Sequence, residues 1–452
     1  MLDKLVKKKY FYEVLLGVLL ALSFAIVLTR QHVAGAVFFG CLSAISLVLF
    51  SDLTVFLAPT LLLSTFATEC YDSFQTFIKF LPLAIPLAIC IIFNIVKYRR
   101  KVKIGPTFWG LVAVTVSVTL GGVGTLPKEN YFSPTSLYYV FFLGAGMLLL
   151  YLLFSSRINE DTGLALAKIM YSVGILAAFM IIVFYVRNWE NFLAQYRMLP
   201  YQPSNNLSTF LMLAMPFPMF FARKRHIDFI MTLVMYVTAV CSGSRAAMIM
   251  ATVELFILLF VYSFFYEKSF LRRLLYIGVG AAIVFVVLKY LPVISLRIIR
   301  RSLAGDVDTM TFTDCVNLIK RHFISPNEAR LRFLEKLPDD FFTNPIFGVG
   351  IGYTGNTKIY SPVQGAMNWY HMWTAQIIGS LGTVGIFCYG YQLFGRIKTF
   401  FKNRSPLNMT LFLSYMGLFF MSQLNPGEFC PIPYGLVAVI YFIIIEQTSI
   451  EK

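Results

Sequence analysis

Long apolar runs alternate with short polar segments along most of the chain. Each run holds roughly 17–24 residues, enough for a helix rising about 1.5 Å per residue to cross the ~30 Å hydrocarbon core of a bilayer. Fourteen runs follow this pattern. They cover residues 10–29, 33–50, 53–69, 78–96, 106–123, 136–154, 163–186, 207–222, 227–243, 245–265, 272–294, 371–394, 407–424 and 430–446. We therefore predict an all-α polytopic integral membrane protein with about 12–14 transmembrane helices.

The polar segments between the runs alternate in charge. If the basic N-terminal residues 4–9 are cytoplasmic, the other basic segments follow even-numbered runs, at residues 97–103, 223–225, 268–273 and 396–404. The positive-inside rule puts such segments in the cytoplasm. We therefore predict a multi-pass membrane protein with both termini in the cytoplasm.

Composition narrows the class further. The chain has 452 residues, of which 58% are hydrophobic and only 13% are charged. Soluble proteins carry about 25% charged residues, so this composition excludes a soluble enzyme, and its hydrophobicity excludes a disordered chain. Lys and Arg number 38 against 22 Asp and Glu, a net charge of +16. Because no long basic stretch has interleaved aromatic residues, we attribute this charge to membrane orientation and predict no nucleic-acid partner.

One segment between apolar runs is much longer than the others. Residues 295–370 separate the helices of residues 1–294 from three more in residues 371–452, and the alternation puts this segment on the extracytoplasmic face. It carries nine Lys and Arg residues against seven Asp and Glu. Long loops cross a membrane regardless of charge, but loops of this length are also commonly functional. The functional interpretation is an anionic substrate bound at the outer face.

Arg245 lies between two apolar runs, in the sequence Ser242-Gly243-Ser244-Arg245. A charged residue at the edge of a span either snorkels toward lipid phosphates or serves a function. Small flanking residues let backbones approach closely, and a guanidinium group binds phosphate through paired hydrogen bonds. We interpret Arg245 as an anion-binding residue, with Ser244 as a lesser candidate.

A second arginine candidate follows a helix start signal in the long segment. Residues 325–328 read Ser-Pro-Asn-Glu, the pattern of a capping box. The predicted helix runs to about Leu337, with Pro338 marking its end. Arg332 stands four residues after the glutamate and can pair with it. Arg330 has no acidic residue three or four positions away, and we interpret it as a ligand-binding residue.

His371 lies where the long segment enters the next apolar run. Histidine transfers protons near neutral pH, although a histidine at a membrane edge is also commonly interfacial. The glycine-rich residues 344–353 predict a tight, close-packed turn. Glu428 follows Asn-Pro-Gly on the same face and is a lesser candidate for orienting a sugar or the histidine, the alternative being a plain turn residue. No Cys-x-x-Cys or Cys/His cluster occurs, so neither a zinc nor an iron–sulfur site is predicted.

Together these motifs resemble those of the bacterial O-antigen ligase and O-antigen polymerase superfamily. That family shows His-[Asn/Ser/Gln]-x9-Gly-x-x-Gly after its large periplasmic loop. His371, Gly382 and Gly385 reproduce this spacing, with Met372 where the family has an amide or a serine. The family also shows an Arg-x3-Leu element early in the loop, a Pro/Gly stretch after it and a Ser-Arg pair near the outer end of a core helix. These are matched by Arg330 with Leu334, residues 345–352, and Ser244 with Arg245.

The resemblance implies a C-type membrane glycosyltransferase in the inner membrane of a bacterial cell. Such an enzyme transfers a glycan from undecaprenyl pyrophosphate to an acceptor sugar hydroxyl at the outer face, with inversion and without a metal or cofactor. The implied partners are this donor, a glycan or lipid-linked acceptor, the bilayer and a chain-length regulator protein. The implied roles are pyrophosphate binding by Arg245, Arg330 and Arg332, and positioning or deprotonation of the acceptor by His371.

Two alternatives remain open from the sequence. Within the same chemistry, a polymerase joins repeat units, whereas a ligase moves the finished chain onto another acceptor. In a different class, the chain is a flippase or secondary transporter for polysaccharide precursors. Against the transporter, no inverted repeat of interrupted helices is evident, and the ionisable residues are expected at the edges of spans, with Lys79 and Lys168 as exceptions.

Overall fold

A computed structural model describes residues 10–66, 84–97, 102–158, 160–188, 201–299, 328–353, 370–424 and 427–447. Within these ranges every regular element is helical. In chain order the α-helices are α1 (Phe11–Thr29), α2 (His32–Leu49), α3 (Thr54–Phe66), α4 (Ala84–Lys97), α5 (Pro106–Leu120), α6 (Lys128–Tyr131), α7 (Pro134–Leu143), α8 (Ala145–Ser155), α9 (Glu160–Arg187), α10 (Tyr201–Ala214), α11 (Pro216–Ala222), α12 (Ile227–Cys241), α13 (Arg245–Val261), α14 (Phe270–Ile299), α15 (Glu328–Thr343), α16 (Trp373–Lys402), α17 (Pro406–Ser422) and α18 (Leu436–Gln447). Shorter 3-10 and π-helical turns cover Gly427–Phe429, Pro431–Gly435 and Tyr262–Tyr266.

Six stretches of the described helices are long and apolar enough to cross a membrane. They are Phe11–Thr29, His32–Leu49, Ser136–Ser155, Asp161–Arg187, Ala246–Tyr266 and Trp373–Lys402. Further apolar helices are shorter, at 10–17 residues. The helical class is therefore as predicted, but only six of the fourteen predicted runs meet both criteria among the described residues. The difference arises because several runs end early or are broken, as at Met215 between α10 and α11.

Large apolar side chains lie exposed on the outside of the bundle. Phe387 is 73% exposed and Leu271 is 77% exposed. A continuous surface of this kind would be unfavourable in water, where each buried apolar Å² contributes about 25 cal/mol. In a bilayer the same surface faces lipid, so it is the expected exterior of a helical membrane protein.

Two helix boundaries differ from the sequence prediction. Helix α14 continues to Ile299, so residues 295–299 belong to a helix and not to the long loop. Helix α15 continues through Pro338 to Thr343, although proline was expected to end it near Leu337. Contacts made on both sides of the proline, described below, hold this helix together despite the hydrogen bond that proline cannot donate. Residues 325–327 of the predicted capping box lie outside the described part.

Serine and proline start several helices as their sequence suggests. Ser133, Ser244 and Ser405 each accept a hydrogen bond from the backbone N–H three residues later. Pro134 and Pro406 occupy the first turn, where their missing N–H is not needed. These caps fix where α7, α13 and α17 begin.

Helix α18 runs through the centre of the bundle, and all of its residues are buried. Near its end, Glu446 accepts a hydrogen bond from the backbone N–H of Thr107 at 2.9 Å, in the first turn of α5. The Tyr151 hydroxyl of α8 donates to the other oxygen of Glu446 at 2.8 Å. The carboxylate therefore lies at the positive end of the α5 dipole and ties three helices together.

Helix α16 is broken in its first half and folds back on itself. Gly382 has φ 60° and ψ −154°, which is not helical. The rings of Trp373 and Tyr389 lie 5.6 Å apart, whereas an unbroken helix would separate these residues by about 24 Å. Residues 373–381, which we call the re-entrant segment, therefore run back alongside the remainder of α16.

The glycine-rich residues 345–352 hold this break together. The N–H groups of Val349 and Gly350 donate to the carbonyl oxygens of Gly379 and Ser380, each at 3.0 Å. In the other direction, the N–H of Thr383 and that of Val384 donate to carbonyl oxygens of residues 345 and 346 at 2.8 and 3.0 Å. The polar groups freed by the break are thus paired within the protein. This confirms the close-packed turn, and its amides at 349 and 350 are occupied by protein carbonyls.

We expect Gly382→Ala to prevent stable folding. Its φ is in the left-handed region, and a Cβ atom would lie 2.5 Å from the Gly348 nitrogen and 2.7 Å from the Ile346 oxygen, which are backbone atoms. Strain of this kind costs at least about 1–3 kcal/mol. Gly390 on the same helix has nothing within 4 Å of such an atom, so Gly390→Ala is the matched control and should be neutral. Thermal unfolding in detergent compares them, and equal melting temperatures would contradict the need for the break.

Candidate functional site

His371 immediately precedes the re-entrant segment and has an unusual backbone. Its φ is 55°, one of two non-glycine residues with positive φ in the described part of the chain. The other is Arg30, at a helix C-terminus. Left-handed backbone at a non-glycine residue is strained and is often retained where side-chain direction matters. The residue as a whole is partly buried, and the Nδ1 atom of its imidazole is buried.

Neighbouring residues hold His371 between two elements. The backbone N–H of Tyr370 donates to Gln376 Oε1 at 3.0 Å, and Gln376 Nε2 donates to Ser380 Oγ at 2.9 Å. The Tyr370 hydroxyl donates to Asp340 Oδ2, on α15. The histidine is therefore fixed to the re-entrant segment on one side and to the loop helix α15 on the other.

An apolar cluster joins the same two elements. Tyr370 and Ala375 are buried and pack against Leu334, Leu337 and Met372. Leu334 is the leucine of the Arg-x3-Leu element, so the helix that carries Arg330 contacts the residues flanking the histidine. Met372, where the resembled family has a polar side chain, takes part in this apolar packing. The cluster and the Asp340 hydrogen bond lie on the two sides of Pro338, which explains why α15 continues past it.

The charge state of Asp340 makes this connection sensitive to pH. Burial raises the pKa of the Asp340 carboxyl above its ordinary value, while the hydrogen bond from Tyr370 and the charge of Lys336 oppose the shift. The folded protein thus holds this proton more tightly than the unfolded chain does. The contribution of Asp340 to stability is therefore largest at acid pH and is lost as pH rises through the raised pKa.

We expect two substitutions at Asp340 to behave differently. Asp340→Asn keeps an acceptor for Tyr370 but cannot ionise, so the melting temperature should vary less between about pH 4 and pH 7 than in the wild type. Asp340→Ala removes the acceptor and should lower stability by about 1–3 kcal/mol. Melting curves across this pH range measure both effects. An unchanged pH slope in Asp340→Asn would contradict the assignment.

A second network surrounds the turn before α13. The Ser244 hydroxyl accepts from the Ala247 N–H at 3.3 Å and donates to Asn205 Oδ1 of α10 at 2.8 Å. The Ser204 hydroxyl donates to the Ser242 carbonyl oxygen at 2.8 Å. Ser244 therefore acts as the helix N-cap, and Arg245 is the first residue of α13, at the positive end of its dipole.

Glu428 lies inside the bundle, buried, and not at an exposed turn. Arg396 donates to its Oε1 and also to the Tyr415 hydroxyl, the latter at 2.9 Å. The Tyr415 hydroxyl lies 3.3 Å from Glu428 Oε2, and the Ser422 hydroxyl accepts from the Glu428 N–H at 2.9 Å. Arg396, predicted to lie in a cytoplasmic loop, is instead a buried residue of α16. Because Arg396 and Glu428 form an ion pair, each charge is compensated by the other inside the bundle.

The segment after Glu428 contacts both the re-entrant segment and the hydrogen-bond network of the Ser244 turn. Phe429 belongs to the same buried cluster as Trp373, at the start of the re-entrant segment. Five residues on, the Tyr434 hydroxyl lies 3.2 Å from Asn206 Oδ1, beside the Ser244 turn. Residues 427–435 thus connect Glu428 with the re-entrant segment that follows His371 and with the turn at Ser244. The side chains of Arg245, Arg330 and Arg332 lie outside the described residues, so only their positions on α13 and α15 are given.

Several participants were not found from the sequence. Asp340 and Tyr370 stand next to predicted features, but their hydrogen bond spans 30 residues. The sequence predicts Arg396 in a cytoplasmic segment that follows an apolar run. The spacing held one signal for Arg396. Twenty residues of α16 follow Gly382 before the helix ends at Lys402, so Arg396 lies within the helix. In the part of the chain that the structure describes, no three His, Cys, Asp or Glu side chains group closely enough to hold a metal ion.

Comparison of the chain with protein-family models, with curated proteins and with solved structures finds no match. The family resemblance therefore rests on the sequence motifs alone.

Proposed function

We propose that this protein is a membrane glycosyltransferase of the C-type architecture. It moves an oligosaccharide or polysaccharide from undecaprenyl pyrophosphate to an acceptor sugar hydroxyl at the outer face of a bacterial inner membrane. The observation that carries the proposal is the packing of Leu334 and Leu337 against Tyr370 and Ala375. It brings the helix of Arg330 to the residues that flank His371.

In the proposed reaction the acceptor hydroxyl attacks the anomeric carbon and the undecaprenyl pyrophosphate leaves, with inversion. His371 orients this hydroxyl or takes its proton. Arg245 and Arg330, with Arg332 beside them, neutralise the negative charge of the leaving pyrophosphate. The positive end of α13 at Arg245 favours the same anion. Ser244 caps this end of α13, and Glu428, which Arg396 binds, has a supporting role in orienting the sugar or the histidine.

The direct test is reaction of the purified, reconstituted protein with a defined lipid-pyrophosphate oligosaccharide and an acceptor. Formation of a longer glycan without ATP is expected. No product with any of the polymerase or ligase acceptors would overturn the proposal. Deletion in the native host separates the two reactions, because loss of a polymerase leaves single-repeat products, whereas loss of a ligase leaves free long polymer.

Donor affinity tests the arginines. Charge-assisted hydrogen bonds contribute about 1.5–3 kcal/mol each, so Arg245→Ala and Arg330→Ala should each weaken donor binding by roughly 10- to 150-fold. Arg404→Ala is the control, because Arg404 follows the far end of α16 and stacks on Phe401. Unchanged affinity in Arg245→Ala and Arg330→Ala would exclude the pyrophosphate role.

A flippase or secondary transporter is the second candidate, and one observation favours it. Helix α16 is broken at Gly382, and residues 427–435 are irregular within the bundle. Interrupted helices that meet near the centre of a bundle are typical of substrate sites in transporters. Proteoliposomes decide between the classes: a transporter moves the lipid-linked glycan between leaflets and leaves it unchanged, whereas the enzyme lengthens it.

A further inference from the structure

Glu254 is a buried acid in the middle of α13, nine residues after its start and seven before its end. Glu254 is only 3% exposed. Neither carboxyl oxygen has a hydrogen-bond partner among the described residues. The sequence predicted ionisable residues mainly at the edges of spans, so an acid here needs its own explanation.

The carboxyl lies flat against Gly417 of α17. A Cβ atom on Gly417 would lie 2.6 Å from Oε1 and 2.7 Å from Oε2 of Glu254. The glycine therefore provides the space in which the carboxyl sits. Near it, the Ser414 hydroxyl donates to the Leu213 carbonyl oxygen at 2.5 Å and lies 3.0 Å from the Tyr441 hydroxyl. These polar groups are therefore hydrogen-bonded to one another.

No cation faces Glu254 within the described residues of the helices packed on α13. Helices α10 and α17 contain no charged residue. Asp228 of α12 bonds with Arg225 and Tyr171, and Tyr236 with Thr252. The π-helical turn after α13 contributes the Tyr262 hydroxyl, which bonds to Thr410, and Tyr266, which stacks with Arg223.

Helix α14 is basic at its start, where Arg272 pairs with Glu267 and Arg273 donates to the Glu267 carbonyl oxygen. The side chains of its Lys289 and Arg297 lie outside the described part. A charged carboxylate at this position is therefore not compensated by any described neighbour, and burial of such a charge is strongly unfavourable. Glu428 is the opposite case, because Arg396 and Tyr415 bind it.

We propose that Glu254 is a proton-binding site in the middle of the bundle, neutral at physiological pH, and that release of this proton loosens the contact between α13 and α17. Arg245 is the first residue of α13, and Ser422, which accepts from Glu428, ends α17. The proton therefore controls how the two helices that support the site are spaced. The ligand at Glu254 is the proton itself, and this assignment does not depend on glycosyl transfer.

Infrared spectroscopy of the full-length protein in detergent tests the assignment directly. A protonated carboxyl has a C=O stretch separate from the carboxylate bands, and exposed acids do not contribute it at neutral pH. We expect the wild type to show this band at neutral pH and to lose it at alkaline pH. Glu254→Gln should lack the band, and Glu13→Gln, a control at an exposed acid that pairs with Lys168, should retain it. If Glu254→Gln does not fold, Glu254→Asp should shift the band.

Two results would overturn the proposal. One is a neutral-pH spectrum in which the difference between wild type and Glu254→Gln contains only carboxylate bands. The other is a carboxylate band whose position changes with sodium concentration, which would make Glu254 a metal-ion ligand. Stability gives an independent check: the melting temperature of the wild type should fall at alkaline pH, and that of Glu254→Gln should fall less. Equal falls would also count against the proton site.

Discussion

Replacing His371 is expected to lower turnover by about 10²- to 10⁴-fold, the usual contribution of a general base, with donor affinity unchanged. The substitution of choice is His371→Asn, because asparagine tolerates the left-handed backbone found at this position. It removes the imidazole without adding strain. His371→Ala removes the same group but leaves a strained backbone, so its effect on stability should be larger.

Initial rates with a defined lipid-linked donor measure this effect, and melting temperatures report folding. Full activity in a well-folded His371→Asn variant would exclude the proton-transfer role. A loss of donor affinity without a loss of turnover would assign His371 to substrate binding. The pH profile adds a further readout, because a limb caused by histidine titration should vanish in the asparagine variant.

Breaking the Arg396–Glu428 pair is expected to destabilise the protein by about 3–5 kcal/mol, because it leaves one uncompensated charge inside the bundle. Both residues are buried, and Arg396 also lies over the rings of Tyr415 and Phe442 at 5.0 and 5.2 Å. Arg396→Met and Glu428→Gln each remove one partner. The double variant Arg396→Met/Glu428→Gln removes both charges.

The double variant should recover much of the lost stability, since removing both members of a buried ion pair leaves no uncompensated charge. Unfolding in denaturant gives the coupling energy through the double-mutant cycle. Additive losses would contradict a direct interaction. The exposed pair Lys168–Glu13, at 2.5 Å, is the control, and Lys168→Met should cost no more than about 1 kcal/mol.

The apolar runs were predictable from the sequence because hydropathy is a local property. Most run boundaries agree with helix ends within a few residues, as for α1, α5 and α17. The fold-back at Gly382 was not predictable, because a single glycine hardly changes the hydropathy of a run. The motif of the resembled family marks a glycine at position 382 but does not show why a glycine is needed there. The reason is the close approach of the backbone of residues 346–348.

Buried charges were harder to predict than buried apolar residues. Arg396 and Glu428 are 32 residues apart in sequence, and nothing local marks them as partners. A charged residue beside an apolar run is ordinarily the end of a span, so Arg396 was assigned to a loop. Lys168 lies within a predicted run, and its partner Glu13 is 155 residues away. Pairing over such separations depends on the tertiary fold.

The central position of α18 has a consequence for synthesis of the protein. The ribosome makes α18 after every other described helix, yet all its residues are enclosed by them. The first turn of α5 receives its cap from Glu446, which is 339 residues further along the chain. The earlier helices must therefore enter the membrane and wait, incompletely packed, until α18 arrives. Assembly of the bundle is expected to be late and post-insertional, and a chain that stops before α18 should be a substrate for membrane proteases.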